Sequence, residues 1–248
     1  MNLDEKIISA LKDLDYEEAT EIQKKAIPIA LKRRDILAAA QSGTGKTAAF
    51  LLPILAELLE TKQTKTILRT LILVPTRELA SQTSKAVEDF SKYMDISSLA
   101  MVGGVSTKDQ EKKIAKGIDI LVATSGRLME HLKNGTVDLS SVTTVVIDEV
   151  DTMLDMGFLE DIEKILPNVG PKRQIMMFSA TMNQNVKKLA KEFLKDPVVI
   201  EVAQQRSAVK IIDQQIVLVD EANKAAALSY IIGSNNYSQV LVFVNMKI

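Results

Sequence analysis

The chain has 248 residues, 46% of them hydrophobic and 25% charged. That is enough for one core of ~150–200 residues, with a remainder too short for a second of equal size. Lys and Arg total 31 against 32 Asp and Glu, cysteine is absent and histidine occurs once, which excludes a globally basic polyanion binder, disulfides and thiolate or multi-histidine metal sites.

Leu3, Ile7, Ile8, Leu11 and Leu14 recur at helical spacing, with Asn2 and Glu5 as a capping pair. The acidic start Met1–Glu5 is not a signal peptide, and no apolar run reaches the ~20 residues of a membrane span. A soluble, cytoplasmic monomer that makes no membrane contact is expected. A second helix begins near Thr20 and carries Ile22, Ala26, Ile27, Ala30 and Leu31. Asp35–Ala40 reads as a short buried strand, then come a Gly-rich loop and a helix over Lys46–Glu60 that Pro53 should bend. Further strands are predicted at Thr70–Val74, Ser98–Val102, Asp119–Ala123, Val142–Ile147 and Gln174–Phe178. Helices are predicted at Thr76–Lys92, Asp109–Lys116, Gly126–Lys133, Phe158–Leu166 and Asn185–Leu194.

Apolar strands alternating with helices imply an α/β fold with a mostly parallel sheet covered on both faces. Ligands of such sheets sit at the C-terminal strand ends, here the loops after Ala40, Val74, Ala123, Ile147 and Phe178. After Pro197 the texture changes. Gln204–Ser207 is polar, Ile211–Val219 reads as a strand, Glu221–Ile232 as a helix and Val240–Val244 as a strand. A lone β-α-β unit cannot cover both faces of its sheet. The expected organisation is one domain over residues 1–203, a linker over 204–209 and the truncated start of another domain over 210–248.

Ala40-Gln41-Ser42-Gly43-Thr44-Gly45-Lys46-Thr47 joins a predicted strand to a predicted helix. It follows the P-loop pattern except that Ala40 stands at the first Gly position. Gly43 and Gly45 let backbone N–H groups turn inward around phosphate oxygens, and the helix that follows aims its positive end at the same place. Lys46 supplies a charge for the β and γ phosphates, and Thr47 a hydroxyl for magnesium. Val145-Val146-Ile147 runs into Asp148-Glu149. Ionised carboxylates beside a buried strand need a cation or a partner. Asp148 is therefore assigned to magnesium, and Glu149 to deprotonating the attacking water. The competing reading of this pair is a helix N-cap. His131 is expected to be a solvated residue of an amphipathic helix, Lys108–Lys116 an exposed helix face, and Met153, Met156, Met176, Met177 and Met182 core filler.

Together these motifs resemble a known family. Asp148-Glu149-Val150-Asp151 resembles the Asp-Glu-Ala-Asp box of DEAD-box RNA helicases, and Ser179-Ala180-Thr181 is identical to their Ser-Ala-Thr motif. Pro75-Thr76-Arg77-Glu78-Leu79-Ala80, the doublet Gly103-Gly104 and Thr124-Ser125-Gly126-Arg127 resemble their RNA-contacting motifs, and Thr20-Glu21-Ile22-Gln23 resembles their adenine-reading Q motif. The texture is similar to bacterial RhlE-type members. The resemblance implies a RecA-like P-loop NTPase domain that hydrolyses ATP with Mg2+ while gripping RNA by its backbone. It implies that residues 40–47 bind ATP and that Gln23 contacts adenine, although Thr20-x-x-Gln23 is also a capping box. It implies that Ser179 and Thr181 couple nucleotide state to RNA through Asp151, and that Pro75, Thr76, Arg77, Gly103, Gly104, Thr124, Gly126 and Arg127 line the RNA path. Strand-end capping is the alternative for Ser179 and Thr181, and a surface ion pair for Arg77.

Three positions depart from the family pattern. Val150 stands where Ala is usual, Ser125 where Pro is usual, and Lys6 falls where an adenine-stacking aromatic is expected, with Tyr16 near by. The second domain's motifs, including its γ-phosphate arginines, are not found, although Val240–Asn245 resembles the first of them. Two functions remain open: an ATP-dependent RNA helicase, or a nucleotide- and RNA-binding module without catalysis of its own. A small-molecule kinase or a GTPase is disfavoured by the absence of an Asn-Lys-x-Asp motif.

Overall fold

The computed structural model describes residues 3–61, 67–202 and 215–244. Its contacts divide the chain into two units, residues 1–204 and 205–248. In chain order, the first unit contains α1 (Glu5–Asp13), α2 (Glu21–Ala30), β1 (Ile36–Ala39), α3 (Lys46–Glu60), β2 (Thr70–Val74), α4 (Arg77–Phe90) and β3 (Ser98–Met101). Then follow α5 (Thr107–Ala115), β4 (Ile120–Thr124), α6 (Ser125–Lys133), β5 (Thr144–Ile147), α7 (Val150–Asp155), α8 (Leu159–Ile165), β6 (Gln174–Ser179), α9 (Gln184–Phe193) and β7 (Val198–Glu201).

The strands form one sheet in the order β3-β4-β2-β5-β6-β1-β7, and every pairing is parallel. Alternation along each strand divides the core in two. Ile72, Val74, Ile120, Val122, Val146, Met176 and Phe178 face a cluster built with α1–α4. Leu71, Leu73, Leu121, Ala123, Val145, Ile147, Ile175 and Met177 face one built with α6–α9. Both faces of the sheet are thus covered, each large side chain so buried being worth ~1.5–3 kcal/mol. α3 is apolar on most of its surface because it lies at the centre of the first cluster, and it runs unbroken through Pro53.

Several expectations are corrected. α1 is capped by Asp4, whose carboxylate accepts from Lys6 N at 2.9 Å, while Asn2 lies outside the described residues. Two elements were not foreseen: α7, which starts directly after the acidic pair, and β7, which extends the sheet beyond β1. In the second unit, the helix expected at 221–232 is a 3-10 turn (Glu221–Asn223) leading into α10 (Lys224–Ser234). The strand expected at 211–219 lies partly outside the described residues, and its remainder, 215–219, is not a strand; nor is 240–244. A strand exists only through a hydrogen-bonded neighbour, and among the described residues these segments have none. Met156 is exposed, unlike the rest of its group.

The N-terminal strand ends, opposite the motif loops, are fastened by ionic contacts. Buried Arg69 donates to Asp119 at 2.8 Å and to Thr61 O at 3.0 Å, and Asp119 also accepts from Ser97 N and Oγ at 3.0 Å. Removing one member of a buried pair strands the other. Asp119→Ala is therefore expected to cost about 3–5 kcal/mol, read as a lowered urea midpoint with an unchanged slope.

Candidate nucleotide site and nucleic-acid face

Because all strands run the same way, every motif loop emerges at one edge, and the ladder registers align the tips. Ala39 is opposite Ser179, Ile147 opposite Met177, Leu73 opposite Ile147, and Val74 opposite Thr124. Strand order then sorts the loops into two neighbourhoods. Those after β1, β6 and β5 lie side by side and carry residues 40–47, 179–181 and 148–151. Those after β2, β4 and β3 carry 75–77, 124–127 and 103–104.

In the first neighbourhood the loop before α3 is shaped by two left-handed glycines, Gly43 at φ 81° and Gly45 at φ 91°. Gly45 is required twice over, since a Cβ there would also collide with Gln23 Nε2. Ala40 N donates to Ser179 O at 3.0 Å, and Thr44 Oγ1 closes the turn on Gln41 O at 2.7 Å. Gln41, Ser42 and Gly43 are exposed and Thr47 is half-buried. Lys46 is only 6% exposed, and its Nζ has no hydrogen-bond partner among the described residues. A buried ammonium without a protein acceptor is the mark of a site built to receive an anion.

Asp148, also 6% exposed, sits near enough for Lys46 to act on it. Burial pushes its carboxyl up to about 6; the Lys46 charge and a 2.9 Å bond from Glu149 N counteract this, and the carboxylates of Glu149 and Asp151 add to the rise. Among the described residues no three acidic, His or Cys side chains cluster as a metal site. The oxygen donors Thr47 and Asp148 fit a hard divalent cation that keeps most of its shell for phosphate and water. Glu149 adopts φ 52°, ψ 49°, a left-handed backbone that costs a non-glycine residue about 1–3 kcal/mol, and its carbonyl starts α7 by accepting from Met153 N at 3.0 Å. The N-cap reading is thus met by the main chain alone, with no capping bond from the Glu149 side chain.

Asp151 holds the turn after β6. Burial raises its carboxyl's pKa, but bonds from Thr181 Oγ1 and N at 2.9 Å, from Ser179 and from Ala180 N outweigh that and hold it below the usual range. Val150 is fully buried in the second cluster. Gln23 performs its capping role, Oε1 accepting from Thr20 N at 2.9 Å, and its Nε2 donates to Gly45 O at 3.1 Å. It therefore ties α2 to the phosphate loop. Tyr16 packs edge-on against Phe90 at 5.6 Å, a structural contact.

In the second neighbourhood Thr76 caps α4, accepting from Leu79 N at 3.2 Å, and Thr124 occupies the N-cap of α6; both helices turn their positive ends toward this face. Pro75 is buried and Gly126 exposed. Arg77 is exposed, without an ion pair among the described residues, and its guanidinium lies over the doublet: a Cβ on Gly104 (φ 79°) would stand 2.5 Å from Nη1. Arg127 is engaged internally, donating to Gln110, Glu130, Val105 O and Thr107 at 2.6–2.9 Å. Ser125 Oγ is buried without a hydrogen-bond partner among the described residues, a cost that proline at this position would avoid. His131 corrects the sequence reading. It is fully buried and bonded to Thr136 Oγ1 at 2.7 Å and to Gln110 Oε1 at 3.0 Å. It lies on the buried face of α6 with Leu128 and Ser125, three and six residues earlier, and its polar atoms are met by Thr136 and by Gln110 on α5.

Two outcomes are expected. MgATP raises the thermal midpoint of the wild-type chain, by about 2.7 kcal/mol of linkage at a hundredfold excess over Kd, and Lys46→Met removes that shift while the nucleotide-free chain stays folded; calorimetry reads both. Because the Asp148 pKa is raised on folding, the stability this group contributes is present below about pH 4 and lost as pH rises through about 6. Asp148→Asn should therefore exceed the nucleotide-free wild type by about 1–3 kcal/mol at neutral pH and match it near pH 4 in urea titrations.

Comparison with known proteins agrees with this geometry. RNA helicase CrhR of Synechocystis is 39% identical over 248 residues, covering 100% of this chain and 50% of its own length. ATP-dependent RNA helicase DeaD of Escherichia coli is 39% identical over 242 residues, 97% of this chain and 38% of its own. The crystal structure of a DEAD box protein from the hyperthermophile Methanococcus jannaschii aligns with a TM-score of 0.78 at 34% identity, over 94% of this chain and 62% of that one. The chain thus spans half or less of the length of these curated relatives. The DEAD/DEAH box helicase family matches residues 20–189. Through that match, which runs from the Thr20 cap into α9, the chain belongs to the DEAD/DEAH box helicase family.

Proposed function

We propose that the chain is the ATP-binding front half of an ATP-dependent RNA helicase. Residues 1–203 form the motor domain and 210–248 begin its partner domain, in a cytoplasmic protein that acts as a monomer. The observation that carries the reading is the buried Lys46 ammonium, without a hydrogen-bond partner among the described residues, close to Asp148 at the aligned strand tips. Residues 40–47 wrap the triphosphate with backbone N–H groups, Lys46 binds the β and γ phosphate oxygens, and Gln23 reads adenine from its place against Gly45. Thr47 and Asp148 would hold Mg2+. When bound, this ion neutralises charge on the phosphate oxygens. Glu149, beside Asp148 with a left-handed backbone, accepts the proton of the attacking water as the water oxygen bonds the γ phosphorus and the bridge to the β phosphate breaks. Asp151, Ser179 and Thr181 carry the change toward the RNA face, where Pro75, Thr76, Arg77, Gly103, Gly104, Thr124, Gly126 and Arg127 border a path for the RNA sugar-phosphate backbone. Exposed positive helix ends and main-chain groups suit a grip that ignores base identity.

The alternative reading of residues 1–248 taken alone is a module that binds nucleotide and RNA without useful turnover. One experiment separates the two. ATP hydrolysis is measured with and without RNA, for residues 1–248 and for the same residues joined to a complete second domain. The longer protein should be RNA-stimulated and the shorter one near background. In the longer protein, Glu149→Gln should retain nucleotide binding and lose turnover; normal hydrolysis by that variant refutes Glu149 as the base.

A further inference from the structure

The Gly103-Gly104 turn is fastened on both flanks by side chains from elsewhere. Before it, Val102 O accepts from Gln110 Nε2 at 3.1 Å; after it, Val105 O accepts from Arg127 Nη2 at 2.7 Å, and the same nitrogen reaches Thr107 Oγ1 at 2.8 Å. Gln110 and Arg127 are themselves joined, since Gln110 Oε1 accepts from Arg127 Nε at 2.9 Å. That oxygen's second acceptor site is taken by His131 Nε2 at 3.0 Å. Gln110 is 2% exposed and His131 fully buried. Val102 O fixes the Gln110 amide with its oxygen toward Arg127 and His131, so His131 Nε2 must carry the proton. Nδ1 lies 2.7 Å from Thr136 Oγ1, which also reaches His131 O at 3.1 Å; with a neutral ring the single hydroxyl proton is turned to Nδ1, the shorter contact. Four of the five guanidinium N–H groups of Arg127 are used within the protein, whereas Arg77 makes no ion pair among the described residues and lies over the glycines.

We propose that Gln110 and His131 are positioning residues for the RNA face: they lock Arg127, at the border of the path, as a strut under the Gly103-Gly104 turn, so that Arg77 and the turn's backbone, and not the internally engaged Arg127 guanidinium, supply the phosphate contacts. Resting on the RNA reading above, the proposal assigns that face's order to two residues outside the recognised motifs. Burial and the Arg127 charge both depress the His131 pKa, against weaker opposing effects from Glu130 and Glu111, in keeping with a neutral ring held as a donor.

The test uses the whole chain, whose one histidine makes imidazole nitrogen NMR unambiguous. The spectrum should show a neutral Nε2–H tautomer, and Gln110→Met should shift the Gly104 amide resonance without RNA. A single-stranded oligouridylate is then titrated at several salt concentrations. Arg77→Met should weaken binding and lower the slope of log affinity against log salt by about one. Arg127→Met and His131→Phe should weaken it about three- to thirtyfold with the slope unchanged, and His131→Gln, which returns an N–H to the same place, should restore it. An Nδ1–H tautomer, an undisturbed Gly104 in Gln110→Met, or an Arg127→Met slope reduced by about one overturns the proposal. If Arg77→Met leaves affinity and slope untouched, the RNA reading of the face fails by itself, and the strut is decided by the tautomer and the Gly104 amide.

Discussion

A lysine ammonium is hard to bury, and that of Lys46 is buried without a hydrogen-bond partner among the described residues. Lys46 reaches its position because Gly45, left-handed at φ 91°, starts α3 with the Lys46 side chain turned toward the acidic strand tip. Asp148 faces it with a carboxyl whose charge is itself disfavoured by burial. A buried ammonium is stabilised by an anion and a buried carboxylate by a cation, so the pair carries an electrostatic cost that ligands of those charges would relieve.

The rest of the architecture follows from holding those two groups in place. An all-parallel sheet brings every loop of one sense to a single edge. Its strand order then divides that edge, with residues 40–47, 179–181 and 148–151 after β1, β6 and β5 and residues 75–77, 124–127 and 103–104 after β2, β4 and β3. The halves meet at β2 and β5, where Leu73 pairs with Ile147 and Leu73 O accepts from Asp148 N at 2.9 Å. Asp148 is thus hydrogen-bonded to the strand that leads into Pro75-Thr76-Arg77. On the far side Ser179 O takes Ala40 N, so the phosphate loop and the Ser-Ala-Thr turn share a bond as well.

What the sequence disclosed was what local chemistry decides. The six long-pattern strands of the first unit are legible because both faces are covered and the runs are continuously apolar. The phosphate loop is legible because backbone chirality leaves few residues that fit it. What escaped depends on distant partners. β7 has only Ile200 deeply buried and is defined by pairing with β1, far earlier in the chain. α7 is six residues long and starts from a left-handed glutamate, so no capping residue announces it. His131 looks like one polar residue on an amphipathic helix until Gln110, on another helix, closes over it.

The second unit marks the limit of local pattern from the other side. Ile216, Leu218, Leu241 and Phe243 lie 78–93% exposed, and α10 buries no residue at all. Their sequences alternate and branch as strands do, but propensity of about 1 kcal/mol across its whole scale cannot supply the ladder bonds and burial that a neighbouring strand provides. In the first unit the same kinds of residue form strands because six parallel pairings accept their backbone groups. A strand is a property of a pair, and the sheet, not the segment, is the smallest unit that determines it.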